Sequence, residues 1–164
     1  MTEEYLADNE ILTVAMNLEQ EGYDFYDGAS RRAGSGETKK IFMRLRDDEA
    51  EHRMIFQDML KALPDRESTA YFGIADAEAA SYLRVLIETG VFKTMDRSAV
   101  KRLSDVEALE VGVKVEKDSI LFYTQAQRSS VNQKAKEMMA RIIDIEKGHL
   151  VMLNNRLRVA RKLF

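Results

Sequence analysis

The chain contains no cysteine and no tryptophan, and only one proline and eight glycines among 164 residues. Without cysteine there is no disulfide, no thiolate metal ligand and no cysteine nucleophile. With proline and glycine scarce, little in the sequence interrupts a helix, and the chain reads as all-α. Neither sign of charge dominates: 25 basic against 28 acidic residues leave a net charge of -3. That balance offers no electrostatic footprint for nucleic acid and no basic surface for a membrane. No run approaches the ~18 apolar residues of a membrane span, and the first residues, MTEEYLADNE, are acidic where a secretion signal is basic and then apolar. A cytoplasmic protein of one domain, residues 1–164, is therefore expected, large enough to bury a real core.

What is present is helical periodicity. The pattern predicts a first helix over about 9–33, ending at the glycines Gly34 and Gly36, which tolerate the backbone geometry of a helix end. A second runs over about 35–63 and is closed by Pro64. Residues 64–103 form a crossover holding a shorter apolar-striped helix, DAEAASYLRVLIETG, that ends near Gly90. The third long helix starts near Ser104, which has capping-box spacing to Glu107, and runs to about Ser129. The fourth starts near Ser130 or Asn132, and its terminal Arg156, Arg158, Arg161 and Lys162 complement the negative end of the helix dipole.

Sliding the sequence on itself by 97 residues reveals an ungapped repeat. Val14 falls on Val111, Glu19 on Glu116, Phe25 and Tyr26 on Phe122 and Tyr123, and Ala29 on Ala126. The second helix of each half continues the match with Lys39 on Lys136, Arg44 on Arg141, Asp47 on Asp144, Glu49 on Glu146 and His52 on His149. Two pseudo-symmetric helical hairpins, 9–63 and 104–162, joined by a long crossover predict a four-helix bundle.

The repeat places ionisable residues in the core seams. On the second helix the seam is Phe42, Leu45, Glu49, His52, Phe56, Met59 and Leu63; on the fourth it is Met139, Ile142, Glu146, His149 and Leu153. The first carries Leu12, Ala15, Glu19, Gly22, Tyr26, Ala29 and Ala33, and the third Leu109, Gly112, Glu116, Ser119, Tyr123 and Ala126. Glu19 and Glu49 lie equally far along the chain from the first turn, as do Glu116 and Glu146 from the second, so each pair shares a layer. Four buried carboxylates would cost several kcal/mol each in desolvation and repel one another. Two divalent cations would neutralise them, and a mixed carboxylate and imidazole set suits iron or manganese better than calcium or magnesium. A single Glu-x-x-His pair is more often a surface feature, but two in register, each matched by a glutamate on the preceding helix, are not.

The strings NLEQEGYDFY with DDEAEH, and KVEKDSILFY with IDIEKGH, resemble the ferritin-like di-iron carboxylate superfamily, and within it the rubrerythrin-like branch. The resemblance implies a ferritin-like bundle with two irons, manganese or a mixed pair being the alternatives. It implies Glu19 and Glu116 as terminal ligands, Glu49 and Glu146 as bridging carboxylates, and His52 and His149 as one imidazole per metal. It gives Tyr26 and Tyr123 as hydrogen-bond donors around the ligands, although both also fit a plain amphipathic core. No catalytic residue beyond the metal ligands and no organic cofactor is implied. Two features depart from typical rubrerythrins. The absence of cysteine removes the rubredoxin module, so an external donor such as a rubredoxin-like protein or reductase is required. Ser119 stands where peroxide-reducing members carry an extra glutamate. The resemblance implies reduction of peroxide or dioxygen in a homodimer; a ferroxidase and a non-catalytic structural or sensor protein are the rivals.

Overall fold

The computed structural model describes residues 8–63, 77–95, 100–130 and 132–162. Its helices are α1 (Asp8–Arg32), α2 (Gly36–Lys61), α3 (Ala77–Thr89), α4 (Val91–Thr94), α5 (Asp105–Ser129) and α6 (Gln133–Ala160), with no strand among the described residues. The predicted stop at Pro64 lies outside them.

The helix starts follow side-chain chemistry. Ser35 is not the first residue of α2 but its N-cap, its hydroxyl accepting from the Thr38 N–H. Ser104 and Glu107 close a full capping box on α5, each side chain accepting from the other's backbone N–H. Of the two candidates for the start of α6, Asn132 is the cap, accepting from the Ala135 N–H at 3.0 Å. These contacts satisfy amide groups that the helix leaves without internal partners.

α1 and α2 form one antiparallel hairpin, and α5 and α6 the other. Tyr26 of α1 reaches Glu116 of α5 while Tyr123 of α5 reaches Glu19 of α1, so these two helices also run antiparallel. That topology requires the long crossover. Its predicted helix is α3, packed on α5; the pattern missed α4, a single turn that starts after Gly90 and also leans on α5. The Asp118 carboxylate of α5 accepts from the Val91 N–H at 2.8 Å and fixes the start of that turn.

One end of the bundle is tied by polar groups. The Asp105 carboxylate accepts from the Gly34 and Ser35 N–H groups, each at 2.9 Å. Arg156, read from sequence only as a dipole-complementing cation, donates to the Thr38 and Ser35 hydroxyls at 2.8 and 2.7 Å. It therefore joins the end of α6 to the start of α2.

The seam residues are buried as predicted, apart from the ends of the pattern: Met59, Leu63 and Ala33 are half-buried. The core falls into two apolar blocks. One includes Leu12, Phe56, Leu83, Tyr123, Met139 and Ile142; the other includes Tyr26, Phe42, Leu45, Leu109, Leu153 and Leu157. The glutamates and histidines of the seams occupy the layer between them. No described helix is long and apolar enough to cross a membrane.

Candidate metal centre

Every candidate metal ligand picked from the repeat reaches the same layer: Glu19, Glu49, His52, Glu116, Glu146 and His149 are each no more than 3% exposed. Two sets of four place their ligand atoms within 4.8 Å of one another. One is Glu19, Glu49, His52 and Glu146; the other is Glu49, Glu116, Glu146 and His149. Glu49 and Glu146 belong to both, whereas each histidine and each remaining glutamate belongs to one. The two imidazole rings lie nearly parallel, with centroids 5.9 Å apart.

Glu146 straddles the pair. Its Oε1 is 3.0 Å from His52 Nδ1 and its Oε2 is 2.9 Å from His149 Nδ1. Further out, Glu19 Oε2 lies 3.5 Å from His52 Nδ1, and Glu116 Oε2 lies 3.5 Å from His149 Nδ1. Four of these inward-facing atoms, Glu19 Oε2, His52 Nδ1, Glu116 Oε2 and Glu146 Oε1, are buried and make no hydrogen bond. Buried polar atoms are seldom left so, because an unmet donor or acceptor costs about 1–3 kcal/mol, and more when charged. Converging oxygen and nitrogen atoms that make no hydrogen bond are what a pair of cations would satisfy, so the donor set fits two metal ions of the iron or manganese type.

The family model for rubrerythrin matches residues 10–157. The chain belongs to the rubrerythrin family. Among solved structures, a Thermotoga maritima protein described as ferritin-like and diiron-carboxylate is 30% identical, with a TM-score of 0.64 over 94% of this chain and 97% of that one. No curated protein matches.

In this rubrerythrin-family chain the electrostatics of the metal-free site follow from burial and close packing. Burial pushes the Glu49 carboxyl well above the ordinary range, helped by the neighbouring charge of Glu19. Glu116 is raised to about 8, burial outweighing the attraction of His149. Burial acts on Glu146 in the same sense, but the imidazoles of His149 and His52 hold it well below the usual carboxylate range. Both histidines are raised to about 10: burial opposes their charge, and the adjacent carboxylates overcome it.

The tyrosines act across the bundle, which residue spacing could not show. The Tyr26 hydroxyl donates to Glu116 Oε1, and the Tyr123 hydroxyl donates to Glu19 Oε1, each reaching the opposite half of the repeat. Burial and the surrounding glutamates raise both phenols well above their ordinary value, so they remain donors. Their hydroxyls orient the oxygen of each glutamate that does not face the centre. Tyr26→Phe and Tyr123→Phe are each expected to cost about 1–3 kcal/mol, because each leaves a buried carboxyl oxygen without its partner. For a chain of this size that lowers Tm by about 2–12 °C in calorimetry of the metal-free protein. Tyr82→Phe, at a 43% exposed position, serves as the unchanged control.

At Gly22 a Cβ would lie 3.0 Å from Glu49 Oε2 and 3.1 Å from Glu49 Cδ. The glycine makes room for the carboxylate shared by both sets. Gly22→Ala is expected to weaken metal binding on the order of tenfold by displacing that ligand, with helix content by circular dichroism unchanged. Ser119, the other small seam residue, is 9% exposed and lines a cavity of about 80 Å³ between α1, α5 and the crossover helices. Leu18 and Val115, the sequence neighbours of Glu19 and Glu116, line the same cavity.

Sequence reasoning missed Asp48. Its Oδ2 lies 3.0 Å from His149 Nε2 and 3.7 Å from Arg44 Nε. No periodic signal marks it, because its partner is on another helix.

Proposed function

We propose that this protein is a non-haem di-iron oxidoreductase that reduces peroxide to water. One iron would be held by Glu19 and His52 and the other by Glu116 and His149, with Glu49 and Glu146 shared between them. The sharing of those two glutamates by both sets of ligand atoms carries the reading. Two ferrous ions held there would supply the two electrons that, with two protons, convert hydrogen peroxide to two molecules of water.

The chain's own part is positional. The glutamates set the negative charge that favours the oxidised metals, and the tyrosine hydroxyls hold the terminal carboxylates in place. The apolar blocks on both sides exclude bulk water from the layer. The cavity beside Ser119, lined by Leu18 and Val115 next to Glu19 and Glu116, has room for a molecule of a few heavy atoms on the α1 and α5 side of the bundle. With no cysteine in the chain, re-reduction falls to an external donor such as a rubredoxin-like protein or reductase.

Anaerobic loading with Fe(II) followed by peroxide tests this reading. One peroxide consumed per two irons, with rapid growth of near-ultraviolet ferric absorption, is the expected result; absence of any spectral change rejects it. Ser119 in place of an acidic ligand favours one second reading, a ferroxidase that oxidises Fe(II) with dioxygen and passes the ferric ion on. Iron that leaves the protein after oxidation would identify that activity, whereas the proposed reductase retains both ions.

A further inference from the structure

The two halves of the centre are not equivalent, and the difference lies in a residue that breaks the repeat. His149 presents Nδ1 to the carboxylates of the centre and Nε2 to Asp48 Oδ2, at 3.0 Å. A carboxylate oxygen accepts, so Asp48 holds a proton on Nε2, and the nitrogen left to give up its proton and face a cation is the inward Nδ1. Arg44, four residues earlier on α2, lies 3.7 Å from the same carboxylate oxygen.

The residue related to Asp48 by the 97-residue repeat is Ile145. Its side chain is 43% exposed and offers no acceptor to His52. His52 Nδ1 faces Glu146 and Glu19 just as His149 Nδ1 faces Glu146 and Glu116. Its outer nitrogen, however, has no hydrogen-bonding carboxylate among the described residues. The inward geometry is thus duplicated and the outer support is not.

We propose that Asp48 is a positioning residue that makes the two metal positions unequal, so that the ion on Glu116 and His149 binds more tightly and fills first. This rests on the metal-centre reading above. A carboxylate behind a ligating imidazole fixes its tautomer and ring orientation and raises its basicity, and losing such a partner costs about 10–100-fold in metal affinity. A chain so built would pass through a state with one ion bound, in the half nearer Asp48.

Cobalt(II) titration of the metal-free protein, followed by visible absorption and calorimetry, tests the inference without any turnover. The wild type should take up two ions in two resolved steps. Asp48→Asn should weaken the tighter step by about tenfold or more and bring the two together, with the absorption of the first-bound ion altered. Ile145→Asp should do the reverse for the other half, tightening the weaker step. Two steps whose affinities are unmoved by either substitution would overturn the inference while leaving a two-metal centre intact. Failure of the wild type to bind cobalt at all would overturn the metal-centre reading and this inference with it.

Discussion

Replacing Glu146 with alanine is expected to remove both metal ions from the protein. Each of its oxygens faces a different imidazole, at 3.0 Å from His52 Nδ1 and 2.9 Å from His149 Nδ1, and it is one of two residues common to both ligand sets. A terminal ligand such as Glu19 appears in one set, so its loss should empty or weaken one position first. Loss of Glu146 deprives both ions of a carboxylate and leaves each with a net charge poorly matched by the remaining donors. The expected reading is a fall from two irons per chain to near none by metal analysis after anaerobic loading, with helical circular dichroism retained. Glu51→Ala, two residues from Glu49 on the same helix but exposed, should leave the stoichiometry at two. If Glu146→Ala still binds two ions, the shared role is wrong.

Metal loading should stabilise the fold strongly, and the gain should widen as pH rises. With free metal at about a thousandfold the dissociation constant, one site contributes about 4.1 kcal/mol. That corresponds to a rise in Tm of about 8–16 °C for a chain of this size.

The pH dependence follows from the metal-free site. His52 and His149, raised to about 10, stabilise the fold as imidazolium ions. For groups raised in this way the contribution is complete below the ordinary histidine value, ~6.5, and is lost as pH climbs through the folded value. Glu116, raised to about 8, acts in the same direction, because above that pH it ionises in a buried place. Glu146 is depressed, so its contribution is lost only in acid, outside this window. The metal-free Tm should therefore fall between pH 7 and pH 10.

In the loaded protein the imidazoles are neutral ligands and that loss is absent. Binding at pH 7 must also expel protons from both imidazoles and from Glu116, so affinity rises with pH. Calorimetry of metal-free and loaded protein from pH 7 to 10 measures the effect; a metal-free Tm that is flat or rising over that range would remove the imidazolium pair from the explanation.

Much of the bundle was legible because helical period and internal repeat reinforce each other. Glu49 and Glu146, His52 and His149 could be picked from neighbouring acids such as Glu51 because only they keep the seam phase in both halves. Equal distance from the hairpin turns then put Glu19 beside Glu49 and Glu116 beside Glu146. What stayed hidden depends on which helix faces which. The Tyr26 and Tyr123 hydroxyls bond to the glutamate of the other half, and spacing along one helix cannot report that crossing.

Asp48 was passed over for the same reason: its meaning lies in His149, 101 residues away. The place of Gly22 in its seam likewise gives no sign that the space its missing side chain leaves is filled by Glu49 from α2. In the crossover, α4 is too short to carry a periodic signal; its Val91 N–H donates to Asp118 and its Phe92 packs against Phe25.

Iron-edge anomalous diffraction from crystals of the Fe(II)-loaded protein tests the paired centre most directly. Two peaks per chain are predicted, about 3.5–4 Å apart as in other two-metal sites. One should lie against Glu19 and His52, the other against Glu116 and His149, with Glu49 and Glu146 touching both. A single peak, or peaks away from these six side chains, would contradict it.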